Sequence, residues 1–336
     1  MTSKIGAIEI RGNEALLGAL AADALAMPVH WYYDRQALAR DYGLVDHYMA
    51  PRSTHADSIL WRSHYEPLNE RADILREQAQ YWGQRGVHYH QFLGAGENTL
   101  NFKLSLELFL LIRLLGSYNA DAWLERYRDF MLTPGSHRDT YVEEYHRHFF
   151  TNYARGKKLH DCGVDDCHIG GLSQVPALIS ALGAGNPDLR NVVREHVSLT
   201  HKNRNVLAAA DCLIRIHSTI ASGMPLRHAI MSEASDFISM KKAERWMREA
   251  DNEVIGKRLS PACYIEDAFP ASLYLAWKYA DDFSVGIIAN ANAGGDNCHR
   301  GAVTGSLLGV ANGVPERWLD GLRLARAENL QALKAS

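Results

Sequence analysis

The sequence predicts an all-α fold. Apolar residues recur every three or four positions through nearly every long segment, no stretch alternates as a half-buried strand does, and Gly or Pro punctuates the periodic runs. Residues 14–27 form the first helix, with Leu16, Leu17, Leu20, Ala24 and Met27 on its apolar face and Pro28 as its stop. Residues 31–67, carrying scattered His, Tyr and Pro without periodicity, read as a long functional loop holding short helices. Residues 73–82 are helical, and Leu100–Leu115 is a strong helix whose first amides the Thr99 hydroxyl caps. The pattern continues over 120–130, 140–153, 174–182, 191–222, 226–254 and 265–279. A polar loop over 290–300 then turns at Gly294 and Gly295 into a last helix, 301–312, nearly free of charge and therefore buried. Residues 319–336 read as a peripheral tail. No repeat or low-complexity linker divides the chain, so 1–336 is read as one domain.

Two helices carry small residues at every fourth position: Gly18, Ala22 and Ala26, and Gly301, Gly305, Gly309 and Gly313. Glycine inside a helix costs ~1 kcal/mol against alanine, so such stripes imply backbones packed in close contact. The apolar runs are too short to cross a membrane.

Composition narrows the function. A net charge of -3 from 36 basic and 39 acidic residues gives no electrostatic reason to bind nucleic acid or an anionic membrane. Small-molecule partners are expected instead. The cysteines, Cys162, Cys167, Cys212, Cys263 and Cys298, form no disulfide framework and read as free thiols in a reducing compartment. With no signal-type amino terminus, a cytoplasmic location is expected.

Four polar constellations stand out. Gly96, Glu97, Asn98 and Thr99 bring oxygen donors to a helix start, which suits a hard cation or a sugar hydroxyl, and equally suits helix capping. Asp296, Asn297, Cys298, His299 and Arg300 precede a buried helix, where polar groups need partners or a ligand. Asp23 lies inside the first helix, where an internal hydrogen bond is the plain alternative, and His30 follows it beside Trp31, Tyr32 and Tyr33. His160, Cys162, Cys167 and His168 offer zinc-type donors, but at a spacing unlike that of structural zinc sites.

These pieces, in this order, resemble the ADP-ribosylglycohydrolase family. The resemblance rests on the run from Gly18 to Leu25, the turn from Gly96 to Thr99, and Ser198-Leu199-Thr200-His201. Ala268 to Tyr274 and Gly294-Gly295-Asp296 ahead of the glycine-striped helix complete it. It implies a compact orthogonal multi-helix bundle whose cleft holds ADP-ribose beside two magnesium ions. This chain departs from the family pattern at the ligands. Gly96, Glu97, Asn98 and Thr99 stand where the family has Thr-Asp-Asp-Thr, and Asp296, Asn297, Cys298 and His299 where it has Asp-Thr-Asp-Thr. His30 replaces a glutamate, and the ribose-contacting turn is represented by His168, Gly170 and Gly171. So few carboxylates neutralise a magnesium pair poorly, leaving one divalent ion, magnesium or a transition metal, or none, held among Glu97, Asn98, Asp296, Cys298 and His299.

The function the resemblance implies is hydrolysis of an N- or O-glycosidic bond of an ADP-ribosyl or related ribosyl conjugate. Glu97 or Asp296 activates water and His299 or His30 protonates the leaving group. Asp23, Asn98, Thr99, His168, Gly170, Gly171 and Arg300 bind substrate. The alternatives are a crystallin-like protein without activity on the same frame and a glycosidase for another nucleoside or sugar conjugate.

Overall fold

The computed structural model describes residues 13–324. Helix α1, Glu14–Ala26, runs into a 3-10 turn, Met27–Val29, that contains Pro28. Helix α2, Arg35–Tyr42, begins where Asp34 accepts the amides of Gln36 and Ala37. A long connection with short 3-10 turns at Leu60–Arg62 and Arg76–Tyr81 leads to α3, Leu100–Leu115, closed by Gly116 at φ 75°. Next come α4, Ala120–Leu132, α5, Glu144–Ala154, α6, Val175–Leu182, α7, Leu189–Ser198, and α8, Arg204–Ala221. The order ends with α9, Leu226–Glu233, α10, Met240–Trp246, α11, Ile265–Lys278, α12, Phe283–Asn292, α13, Asn297–Asn312, and α14, Glu316–Gly321. Among the described residues the only β pairing is isolated bridges, and no helix is long and apolar enough to cross a membrane.

The two glycine-striped helices meet. A Cβ on Gly305 would lie 2.2 Å from the carbonyl oxygen of Gly18, and one on Gly309 would lie 2.4 Å from that of Glu14. Helices α1 and α13 are therefore packed backbone to backbone, and their side chains are buried on every face over most of their length. Neither helix has a polar face because neither has a wet one.

Several expected boundaries move. The run 191–222 is two helices, broken where Thr200 and His201 turn and Asn203 caps α8 through the amide of Asn205. The run 226–254 breaks after Glu233 and again after Trp246. Residues 140–143 precede α5 instead of opening it. Asn290 belongs to the last turn of α12, a helix that the polar composition of 290–300 hides, and α13 starts at Asn297. Thr99 makes no side-chain cap; its hydroxyl donates to Asp23 at 2.8 Å. The stretch expected as a peripheral tail is described as far as Leu324, and this part packs inward: Leu319 and Leu322 are buried, and the Arg323 amide donates to Gly96 at 2.8 Å.

Candidate functional site

The site forms where three segments converge on the amino-terminal end of α13. Gly294 and Gly295, at φ 67° and 66°, turn the chain into it. A Cβ on either would lie 2.4 Å from the Tyr32 carbonyl or 2.1 Å from that of Pro261, so only glycine lets these strands of backbone touch. The contact is locked by Gly295 N to Tyr32 O at 2.7 Å, Trp31 N to Gly295 O at 2.8 Å and Asp296 N to Pro261 O at 2.9 Å. Trp31 itself is held at φ 63°, a costly conformation for a bulky residue that the surrounding bonds maintain.

Asp296 occupies the cap position of α13 but makes no side-chain cap. Its Oδ1 accepts instead from His30 Nε2 at 2.9 Å and His299 Nδ1 at 2.7 Å. The chain of contacts extends both ways. His30 Nδ1 lies 2.8 Å from His90 Nε2, and His90 Nδ1 lies 2.9 Å from Asp139 Oδ1. On the other side His299 Nε2 lies 2.7 Å from Glu143 Oε1. Six side chains thus form one line, Asp139, His90, His30, Asp296, His299 and Glu143, buried except where Glu143 meets the cleft.

Electrostatics sort this line into fixed roles. Burial holds His30 down, to about 3, against the pull of Asp296. Burial opposes charge on His299 too, but Asp296 and Glu143 on its two nitrogens outweigh it and push the ring well up, so it is an imidazolium. Asp296 is pulled below the usual carboxylate range because His299 and His30 overcome its burial. Asp139 moves the same way through Lys103 and His90.

Two cavities adjoin the line. A void of about 20 Å³, room for a water, is bounded by Thr99, Asn101, Asp139, Glu143, His146 and His299. A cleft of about 400 Å³ shares Trp31, Tyr141 and Glu143 with that void and is walled by Trp31, Tyr33, Ile59, Tyr89, Tyr141 and Tyr145, with Arg62, Glu143, Glu144, Asp166, His168, Cys263 and Asp296 as its polar groups. That is the size and character of a small-molecule site. Asp296 lines the cleft, and its Oδ2 is buried without a hydrogen-bond partner.

The sequence-predicted residues divide between this site and its scaffold. His30, Asp296 and His299 come together. Glu97 does not join them: its carboxylate accepts from Arg138 at 2.7 and 2.8 Å and from the Gly94 amide at 3.0 Å, and it lines neither cavity. The expectation that Glu97 and Asp296 share a cleft is therefore corrected; charge pairing at the surface takes Glu97. Asp23 and Asn98 are also scaffold. Asp23 accepts from Asn98 Nδ2, the Thr99 amide and the Thr99 hydroxyl at 2.8 to 2.9 Å, tying α1 to the start of α3, while burial raises its carboxyl.

Arg300, expected to bind phosphate, is fully buried and donates to Asn290 Oδ1 and the carbonyls of Asn290 and Gly294 at 2.8 to 3.0 Å. Cys298 turns its thiol to the Asp23 carbonyl, away from His30 and His299. His168 lines the cleft. Gly170 lies where a Cβ would meet Glu143 Oε2 at 2.7 Å, and Gly171 packs on His201 and Val206. Of the zinc-type cluster, His160 pairs with Asp121 and the Cys162 thiol with the Lys158 carbonyl, so no metal group assembles there.

Sequence reading missed Glu143, Asp139 and His90. The alternation His88-Tyr89-His90 and the polar run Asp139 to Glu143 ahead of α5 are the signals that mark them.

The metal expectation can be tested on these donors. Magnesium takes hard oxygens in near-octahedral array, whereas His30, Asp296 and His299 are the one metal-type group among the described residues, with donor atoms within 4.8 Å of one another. Two imidazoles and one carboxylate do not fit a magnesium pair.

An all-helical frame with a histidine and carboxylate line opening on an aromatic cleft defines the class of protein. The chain belongs to the ADP-ribosylglycohydrolase family, whose model matches residues 7–335. A solved structure described as an ADP-ribosylglycohydrolase-related protein complex shares its fold at TM-score 0.57 and 20% identity, covering 96% of this chain and 95% of that one. Comparison with curated proteins gives no match.

Proposed function

We propose that this chain hydrolyses the glycosidic bond of an ADP-ribosyl or related ribosyl conjugate in the 400 Å³ cleft, with Asp296 and Glu143 as its two working carboxyl groups. The observation that carries the reading is Asp296, which lines the cleft and whose buried Oδ2 has no hydrogen-bond partner. Leaving such an atom unpaired costs ~1–3 kcal/mol, a cost recovered when a water or sugar hydroxyl donates to it. Because its Oδ1 is held by two imidazole N–H groups, Oδ2 is aimed and ionised, the state needed to take a proton from an attacking water.

Glu143 faces both cavities and touches His299. Its carboxylate relays to the leaving group the proton that the His299 imidazolium holds against it. Between the two carboxyl groups the ribosyl carbon passes through an oxocarbenium-like transition state. The aromatic walls suit a stacked base and Arg62 suits phosphate oxygens. No step runs through a metal ion.

The test is turnover of a panel of ADP-ribosyl and ribosyl conjugates, read as free sugar by chromatography. Wild-type turnover lost in Asp296→Asn supports the reading; ADP-ribose binding without turnover of any conjugate would establish the crystallin-like alternative.

A further inference from the structure

Charge decides what can enter the cleft. Glu143, Glu144, Asp166 and Asp296 line it, against Arg62 and His168. His168 is committed to Asp166, its Nδ1 lying 2.9 Å from Oδ1, so these two cancel. The His299 imidazolium lies 2.7 Å from Asp296 and 2.7 Å from Glu143, one positive charge between two negative ones. Glu144 meets only the exposed His148 ring, at 3.1 Å. Arg62 is the cation of the lining that makes no ion pair among the described residues. It suits phosphate oxygens, but it is exposed, and water screens an exposed guanidinium.

Phosphates are ordinarily held at helix starts and by several Arg or Lys together. Here the helix starts are already answered by the chain's own carboxylates. Glu143 and Glu144 take the cap and first position of α5, and Asp296 takes the cap position of α13. Helix α11, which begins two residues after Cys263, carries Glu266 and Asp267 in its first turn. Each of these acids complements the positive end of a helix dipole, the role that a bound phosphate would otherwise fill. The rest of the wall, Trp31, Tyr33, Tyr89 and Tyr141 among it, is aromatic and adds no positive charge. Such a wall suits a flat base, neutral or cationic.

The geometry points to a substrate of the nucleoside class: a ribosyl conjugate without phosphate groups, its base against the aromatic wall and its sugar between Asp296 and Glu143. A diphosphate would carry its negative charges into a lining that is itself net negative, within the ~8 Å over which physiological salt screens poorly. What is cleaved rests on the glycosidase reading above; which ligand is admitted does not.

Calorimetry on the whole protein compares carbocyclic adenosine, which lacks the ring oxygen that glycosidic cleavage needs, with its 5′-diphosphate. At about 0.01 M salt the uncharged ligand is expected to bind roughly tenfold or more tightly, and the gap is expected to narrow at about 1 M salt and in Glu144→Gln. Equal or tighter binding of the diphosphate, a gap that salt leaves unchanged, or no binding of either ligand overturns the proposal. Turnover separates it from the glycosidase reading. The kcat/KM of p-nitrophenyl riboside should exceed that of its 5-phosphate by about tenfold. If neither is cleaved while the charge preference in binding holds, the glycosidase reading falls and the ligand class stands. If the phosphate is cleaved as fast or faster, the ligand class falls and the glycosidase reading stands.

Discussion

At the scale of single residues, function depends on which polar groups have spent their hydrogen-bonding capacity. Arg300 has: each of its bonds goes to Asn290 or Gly294. Arg300→Met is therefore expected to destabilise the chain by about 3–5 kcal/mol, because it strips the partners from buried carbonyls, and denaturant unfolding measures the loss. Asp296 has one oxygen left, so Asp296→Asn should cost about 10²- to 10³-fold in kcat, and it should lower the thermal midpoint as well because the buried His299 imidazolium loses a carboxylate partner. Glu143→Gln separates proton donation from the other steps. Conjugates with poor leaving groups should slow about 10²- to 10⁴-fold, whereas a p-nitrophenyl riboside, which leaves without help, should be nearly spared. Equal losses on both substrates would assign Glu143 to sugar binding.

At the scale of elements, the contact of α1 with α13 fixes where the site can be. Gly305 and Gly309 allow that contact, and it aligns the start of α13, with Asp296 and His299, against the end of α1 and His30. Gly305→Ala should force backbone apart and cost about 1–3 kcal/mol or more, while Gly185→Ala, which meets nothing within 4 Å, should be silent. Paired thermal melts check both. The helical periodicity that reveals α1 and α3 in the sequence is strong because their apolar positions are numerous. Helix α12 stays hidden because Asn290 and Asn292 serve as internal hydrogen-bonders to Asn297 and Val45, so their polarity reports tertiary partners and not exposure.

At the scale of the whole molecule, buried histidines set the response to acid. Burial lowers His30 and His196 to about 3, and His55, His201 and His217 to about 4. Each binds a proton near 6.5 when unfolded and only below about 4 when folded, so the unfolded state holds more protons between these limits. Stability is fully present above about pH 6.5 and falls as pH drops toward 4. His168 and His299, raised in the fold, contribute in the opposite sense, with stability present below about 6.5 and lost as pH rises. Because the lowered group is the larger, the thermal midpoint is expected to decline from pH 6.5 to 4.5; a flat profile would contradict the burial of these rings in neutral form. Addition of magnesium chloride or a chelator at pH 7 should leave that midpoint unmoved.

The sequence by itself determined the helical frame, the family and the close-packed glycine stripes, and it named His30, Asp296 and His299 as candidates, side chains that the fold brings into contact. Periodicity, small-residue spacing and the order of short motifs are local properties, legible along one dimension. Only the tertiary structure decided that Glu97 pairs with Arg138 outside the cleft, that Arg300 and Asp23 are scaffold, and that Glu143, Asp139 and His90 complete the line. The reason is physical: a side chain's role follows from which of its hydrogen-bonding atoms remain unpaired after folding, and those partners come from distant segments, 266 positions apart in the case of His30 and Asp296.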